Sequence, residues 1–372
     1  MPVALMDIAA QYGPLRSEID AAIAGVLDSG RFILGPNVAA LEAEMSERAE
    51  GRPCVGVANG TDALAIALQA VGVGPGDEVV TSPYTFYATA EAVARLGATP
   101  VFADVDPVDL CIDPDDAAAR ITDRTKAILP VHIFGHPADS SRLRDLADAH
   151  GLPLIEDAAQ AMGAADRGTP VGALGDLATV SFFPTKNLPG IGDGGMVICR
   201  DEDMAEHVRR LRFHGSKDKV TFEEVGYNSR LDELQAAVIR VFLPHLDTWN
   251  DGRRAAAAAY AAADLPRGLE RPAERAGARH VYHLYVVRHP DRDALRAALN
   301  DRGISAAVYY GIPLHLQPVF AGLGAREGDL PVAEESARTG LAIPMHPHLT
   351  AQGVDEVTEA LRAACAALPA RV

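Results

Sequence analysis

An α/β fold, with a large domain built on a mainly parallel mixed sheet and a smaller C-terminal α/β domain, is predicted by three observations. Short apolar runs alternate with amphipathic helical stretches over residues 54–198. Small and polar residues gather just after those runs. An alanine-rich helical stretch from Leu246 then leads into a second set of strand and helix patterns. Alternation of this kind gives parallel strands with crossover helices, and such sheets bind ligands at strand C-terminal ends. A chain of 372 residues can support two cores. The expected division is residues 1–245, with an N-terminal arm, and residues 246–372.

The elements follow in order. Residues 10–27 have apolar positions at helical spacing and stop at Asp28-Ser29-Gly30; residues 38–49 repeat the pattern. Strands are expected at 54–58, 78–81, 99–105, 125–131, 152–157 and 180–183, with helices at 63–71, 88–96, 115–121 and 140–150 between them. A helix at 231–243 ends at Pro244, and a second at 246–263 bridges into the smaller domain. There the pattern predicts strands at 283–287 and 306–310 and helices at 293–302 and 354–368.

Composition excludes several functions. The formal net charge is −17, opposite to the basic footprint of a nucleic-acid binder. No apolar run approaches the roughly 20 residues of a membrane helix, and the first residues lack signal-peptide form, so a cytoplasmic protein is expected. Cys54, Cys111, Cys199 and Cys365 are widely spaced, as reduced core residues are. His132 and His136 are four apart, but Gly135 and Pro137 rule out a helical zinc pair, and no metal site is expected.

The candidate chemistry centres on Lys186. It lies between the aromatic pair Phe182-Phe183 and the glycine-rich run from Gly190 to Gly195, where a buried ammonium needs a partner or must lose its charge. Such an amine suits attack on a carbonyl, a substrate's or that of pyridoxal phosphate. That cofactor needs an amine, phosphate donors, a stacking ring, and an acid at its pyridine nitrogen. Lys186 supplies the first. Gly60 and Thr61 at a helix start, with Ser181, supply the second, Phe86 the third, and Asp157, at the end of an apolar strand, the fourth. His136 and Gln160 fall at the same sheet edge.

Four stretches resemble the DegT/DnrJ/EryC1/StrS family of sugar aminotransferases: Asn59-Gly60-Thr61-Asp62-Ala63-Leu64, Glu156-Asp157-Ala158-Ala159-Gln160-Ala161, Ser181-Phe182-Phe183-Pro184-Thr185-Lys186-Asn187-Leu188 and Gly226-Tyr227-Asn228-Ser229-Arg230. The likeness covers nearly the whole chain. It implies an aspartate-aminotransferase-like fold (type I of the pyridoxal phosphate enzymes) and a homodimer whose active sites lie at the subunit interface. It also implies that Asn228 reaches the cofactor phosphate from the partner subunit and that Gln160 helps to orient the ring. Related sugar dehydratases have histidine in place of Lys186. Met162 and Gly311 depart from the family's usual His and Pro, with substrate preference as the expected consequence.

The implied reaction transfers an amino group from glutamate or glutamine to a nucleotide-linked ketosugar, with the cofactor cycling between its pyridoxal and pyridoxamine forms. Candidate substrate contacts are Phe32, Lys217, Lys219, Arg230, Tyr310 and His315, the basic ones standing out in so acidic a chain. Solvated surface charge is the competing reading for the lysines, as a structural role is for His315. A cyclitol aminotransferase, a sugar dehydratase on the same scaffold, and a non-catalytic regulatory protein remain open alternatives.

Overall fold

The computed structural model describes residues 2–266 and 268–368. Helices α1 (Ile8–Tyr12) and α2 (Arg16–Ser29) open the chain, separated by a 3-10 turn, Gly13–Leu15. The periodicity predicts one helix over this stretch; Pro14 divides it, because its ring removes a backbone donor and crowds the preceding turn. Helix α3 (Pro36–Arg48) is anchored at its start by the buried Glu233 carboxylate. Glu233 accepts from the backbone N–H groups of Gly35, Asn37 and Val38 and from the Asn37 amide at 2.8–3.0 Å. Donors at a helix N-terminus have no intrahelical partner, and each charge-assisted bond to them contributes roughly 1.5–3 kcal/mol.

Strands and helices then alternate as β1 (Cys54–Val57), α4 (Gly60–Ala70), β2 (Glu78–Thr81), α5 (Ala88–Arg95), β3 (Thr99–Phe102), α6 (Pro114–Ala119), β4 (Thr125–Leu129), α7 (Ser140–His150) and β5 (Ile155–Asp157). A small hairpin, β6 (Ala165–Asp166) and β7 (Thr169–Pro170), precedes β8 (Leu177–Ser181), β9 (Gly195–Cys199) and α8 (Glu202–Leu211). β2 lies parallel between β3 and β4, and β5 lies parallel to β8. Parallel bridges Ile128–Leu154 and Val131–Asp157 join the halves, giving one mixed sheet in the order β1-β9-β8-β5-β4-β2-β3.

β9 runs against both neighbours, β1 and β8. Its first residue, Gly195, therefore sits at the edge where the parallel strands end. Helix α4 covers one face and is apolar almost all round, with Leu64, Ile66 and Leu68 buried among Val55, Val79, Ile155 and Val197. Burial of each such side chain contributes roughly 1.5–3 kcal/mol, which fixes the start of α4 against the sheet edge. The opposite face packs on α3 and on helix α9 (Glu233–Phe242), through Leu41, Met45, Phe182, Ile239 and Phe242.

Helix α10 (Leu246–Ala262) leads to β10 (Ala278–Arg279), β11 (Tyr285–Arg288), α11 (Arg292–Asn300), α12 (Pro331–Thr339), β12 (Gly340–Ile343) and α13 (Ala351–Ala367). β11 and β12 pair antiparallel beneath α10, α11 and α13, around Tyr260, Tyr285, Leu295 and Leu361. The strand expected at 306–310 does not form. It contributes one bridge, Ala307–Ala342, on the edge of β12 that β11 leaves open, and the Tyr309 carbonyl then accepts from the Tyr84 hydroxyl at 2.8 Å instead of extending the ladder. The residues before α1 reach this part of the chain, with a Val3–Ile304 bridge and a bond from Met345 N–H to the Leu5 carbonyl at 3.0 Å. Among the described residues no helix is long and apolar enough to cross a membrane.

Candidate active site

A cavity of about 500 Å³ opens at the C-terminal ends of the parallel strands. Gly60, Thr61, Phe86, Asp157, Gln160, Ser181, Lys186 and Tyr310 all line it, so eight candidates from five segments meet in one place. At the start of α4, Asn59 satisfies the Asp62 and Ala63 N–H groups with its side chain and carbonyl. The Gly60 and Thr61 N–H groups keep no partner within the described chain. Ser181 packs so closely that a Cβ on residue 60 would lie 2.8 Å from its own Cβ, and a Cβ on residue 195 would lie 2.4 Å from the Asn59 carbonyl. The glycines thus let a hydroxyl and two free amides converge at the positive end of an 11-residue helix, an anion cradle.

Pleating separates the two acids of β5. Glu156 faces the core, where it accepts from the N–H groups of Gly172, Leu174 and Gly175 and meets His132 Nε2 at 3.0 Å. Asp157 faces the cavity. Its Oδ2 accepts from the Thr89 hydroxyl at 2.8 Å and its Oδ1 from the Ala159 N–H at 3.2 Å. Burial raises its pKa above the usual carboxylate range, against the lowering effect of the Thr89 and Ala159 hydrogen bonds and of the Lys186 charge.

Lys186 is held by its flanks. Phe182, Asn187 and Leu188 are buried, the Lys186 N–H bonds to the Phe183 carbonyl at 2.8 Å, and Asn187 Nδ2 donates to Asn250 of α10 at 2.7 Å. Desolvation lowers the amine's pKa to about 8, with the Asp157 charge pulling the other way. A lysine so tuned is roughly one-tenth free amine at pH 7, far more than an ordinary lysine, and can move protons.

Gln160 spends both ends of its amide within the protein, accepting from the Phe134 N–H at 2.7 Å and donating to the Tyr310 hydroxyl at 3.0 Å. Phe86 is 57% exposed at the cavity and leans on the Tyr310 ring, centroid to centroid 6.1 Å. Other candidates lie elsewhere. Asn228 and Arg230 sit in an adjoining depression that shares Asn59 and Asp193 with the cavity. Lys217 pairs with Glu206 at 3.0 Å, and Lys219 lies 5.0 Å from the Phe213 ring. Phe32 is exposed just before α3. His315 is buried against Glu334 at 3.0 Å and lines no part of the cavity, nor does Met162, which is buried in the α3–α9 core.

His136, expected at the site edge, is also buried away from it, because the chain turns after β4. It stands with Asp109 and Cys111 in a compact trio. Its two ring nitrogens are already engaged by the Pro137 carbonyl and the Arg275 N–H, and the Arg275 guanidinium pairs with Asp109 at 3.3 Å. The sequence pattern assigns no site role to several other lining residues, the polar Thr89, Asp193 and His283 and the apolar Met6 among them. His283 alone had a visible signal, a polar residue opening an otherwise apolar strand.

Residues 14–362 match the model of the DegT/DnrJ/EryC1/StrS aminotransferase family. The chain is 50% identical to a pleiotropic regulatory protein of Geobacillus stearothermophilus, over 96% of this chain and 97% of that one. It is 48% identical to the dTDP-3-amino-3,4,6-trideoxy-alpha-D-glucose transaminase of Streptomyces venezuelae, over 97% and 95% of the two chains. The crystal structure of S. venezuelae DesV in complex with a ketimine intermediate superposes with a TM-score of 0.96 at 47% identity, covering 99% of this chain and 100% of that one. The chain therefore belongs to the DegT/DnrJ/EryC1/StrS aminotransferase family and has its aspartate-aminotransferase-like, type I fold.

The electrostatics make a direct prediction for the protein free of cofactor. Acetylation of Lys186, followed by peptide mass spectrometry across pH, should titrate with a pKa of about 8, against about 10.4 for an ordinary lysine. Asp157→Asn removes an attractive charge and should move that midpoint lower; an unchanged or higher midpoint would contradict the pairing.

Proposed function

We propose that this chain is a pyridoxal-phosphate-dependent aminotransferase that passes an amino group from glutamate or glutamine to a keto group of a dTDP- or UDP-linked deoxysugar, in amino-sugar biosynthesis. The observation that carries this reading is the meeting of Lys186 and Asp157 with the unpartnered donors of Gly60 and Thr61 in one cavity. The residues fit the cofactor. Gly60, Thr61 and Ser181 would hold its phosphate, Phe86 offers a ring face, Asp157 would face its pyridine nitrogen, and Lys186 supplies the amine for its aldehyde. When bound, the cofactor supplies an electron sink for the carbon that loses or gains a proton.

The chain's own residues do the rest. Asp157, raised by burial, gains most from a cation opposite it, so it favours a proton held on the ring nitrogen. Thr89 and the Ala159 N–H fix the direction of its carboxylate. Lys186 Nζ would accept the proton from the donor's α-carbon and return it to the carbon on the other side of the transferred nitrogen, a transfer that its lowered pKa suits. Buried Phe182, Leu188 and Asn187 keep its backbone still during that exchange.

We further propose a homodimer in which Asn228 completes the partner's phosphate site. Asn228 does not line its own chain's cavity, and Phe86, Phe183, Ile191, Phe222 and Val225 are exposed apolar side chains that a partner subunit would cover.

Glutamate or glutamine added to the yellow holoprotein should bleach its visible band and release the matching keto acid. Lys186→Ala should slow this by about 10²- to 10⁴-fold; no band change and no keto acid with Lys186 intact would refute the reading. The shared site has its own check. Mixed and reassembled chains, one Lys186→Ala and the other Asn228→Asp, should regain activity that neither has alone, and a mixture as inactive as its parts would exclude the exchange.

A further inference from the structure

His283 lies in the same cavity as Lys186 but comes from the far end of the chain, just before β11. Its backbone is fixed from several sides. The neighbouring Val281 and Leu284 N–H groups donate to the Gly135 and Phe134 carbonyls at 3.0 and 3.3 Å. The Tyr282 and His283 carbonyls both accept from Arg253 Nη1 at 3.2 Å. A Cβ on Gly135 would stand 2.9 Å from the His283 nitrogen, so that approach requires glycine.

The ring, by contrast, is left without a hydrogen bond. His283 is 4% exposed, and its Nδ1 is buried with no partner. Buried polar atoms are almost always paired, so an unpaired one beside a reactive amine points to a partner that arrives during function. Two cations bear on it, Lys186 in the cavity and Arg253 from α10, and with burial they hold its pKa well below that of an ordinary imidazole. A ring kept neutral this way cannot attract a carboxylate by charge and is a poor base. It remains a good hydrogen-bond acceptor.

We infer that His283 is a positioning residue for Lys186: its neutral imidazole, unpaired in the resting arrangement, accepts a hydrogen bond from Nζ when the released amine turns toward it, and holds it over the reacting carbon. The role rests on the reading of Lys186 as the reacting amine. Without such an acceptor, the nearest attraction for Nζ is the Asp157 carboxylate, and collapse onto it would take both groups out of use. An acceptor contributed by the β11 side opposes that collapse while leaving Asp157 to its own partner.

Two variants test this, His283→Leu and His283→Asn, the second keeping an acceptor in a small polar side chain. In the holoprotein, His283→Leu should slow bleaching of the visible band at saturating glutamate by about tenfold to a hundredfold, with the half-saturating glutamate concentration little changed. His283→Asn should recover most of that loss. In the cofactor-free protein at pH 7, loss of an acceptor that favours the ammonium should speed acetylation of Lys186 by about threefold or more. Unchanged bleaching and acetylation in His283→Leu would overturn the assignment. So would a loss that accompanies cofactor release and is not recovered by His283→Asn, the outcome of a packing role. Failure of the parent reading looks different: Lys186→Ala would then bleach as fast as the unsubstituted protein, whatever His283 does.

Discussion

The structure turns on one electrostatic arrangement, an amine and a carboxylate held in a desolvated cavity without a direct bond between them. Burial works against both charges, raising Asp157 and lowering Lys186, while their mutual attraction works the other way. Left alone, such a pair would close into an ion pair and be inert. The fold prevents this by spending part of Asp157 on Thr89 and Ala159 and by clamping the residues around Lys186 into the core. What remains is a site with an unfilled demand for a cation at one end, an anion at the other, and a carbonyl between them.

The scaffold delivers those demands geometrically. Parallel strands bring the ends of β1, β4, β5 and β8 to one edge, and the reversed β9 brings the glycines of residues 194 and 195 to the same edge. Helix α4 adds its dipole there because its apolar surface has nowhere else to go. The C-terminal part then closes the cavity with Tyr309, Tyr310 and His283, and the N-terminal segment adds Met6. The site is thus a product of segments hundreds of residues apart, held in register by the sheet. A relative named as a regulatory protein shares half of its residues with this chain.

Legibility in the sequence followed the periodicity of the elements. Gly60, Asp157, Ser181 and Lys186 were readable because each ends or follows an apolar run, and α/β folds place such residues together. Thr89 was not, because a hydroxyl in the first turn of an alanine-rich helix looks like any other helical position until its carboxylate partner is seen. His136 and His315 were misplaced for a common reason. Each is held by a partner from another segment, the Arg275 N–H and the Glu334 carboxylate, and such pairings join residues that sequence order does not connect. The expected strand at 306–310 had the right alternation, but its pairing with β12 stops at Ala307 because the Tyr309 carbonyl is taken by the Tyr84 hydroxyl, and Pro14 outweighed the helical spacing around it.

Under the proposed function, this cavity captures nitrogen from an amino acid and gives it to a sugar. The most direct measurement follows ¹⁵N from labelled glutamate or glutamine into a panel of dTDP- and UDP-linked ketosugars by mass spectrometry. The account predicts that label appears as an amine on a sugar carbon with the unsubstituted protein and not with Lys186→Ala. Label that leaves the donor with no ketosugar acceptor in the panel, or label transferred equally well without Lys186, would contradict it.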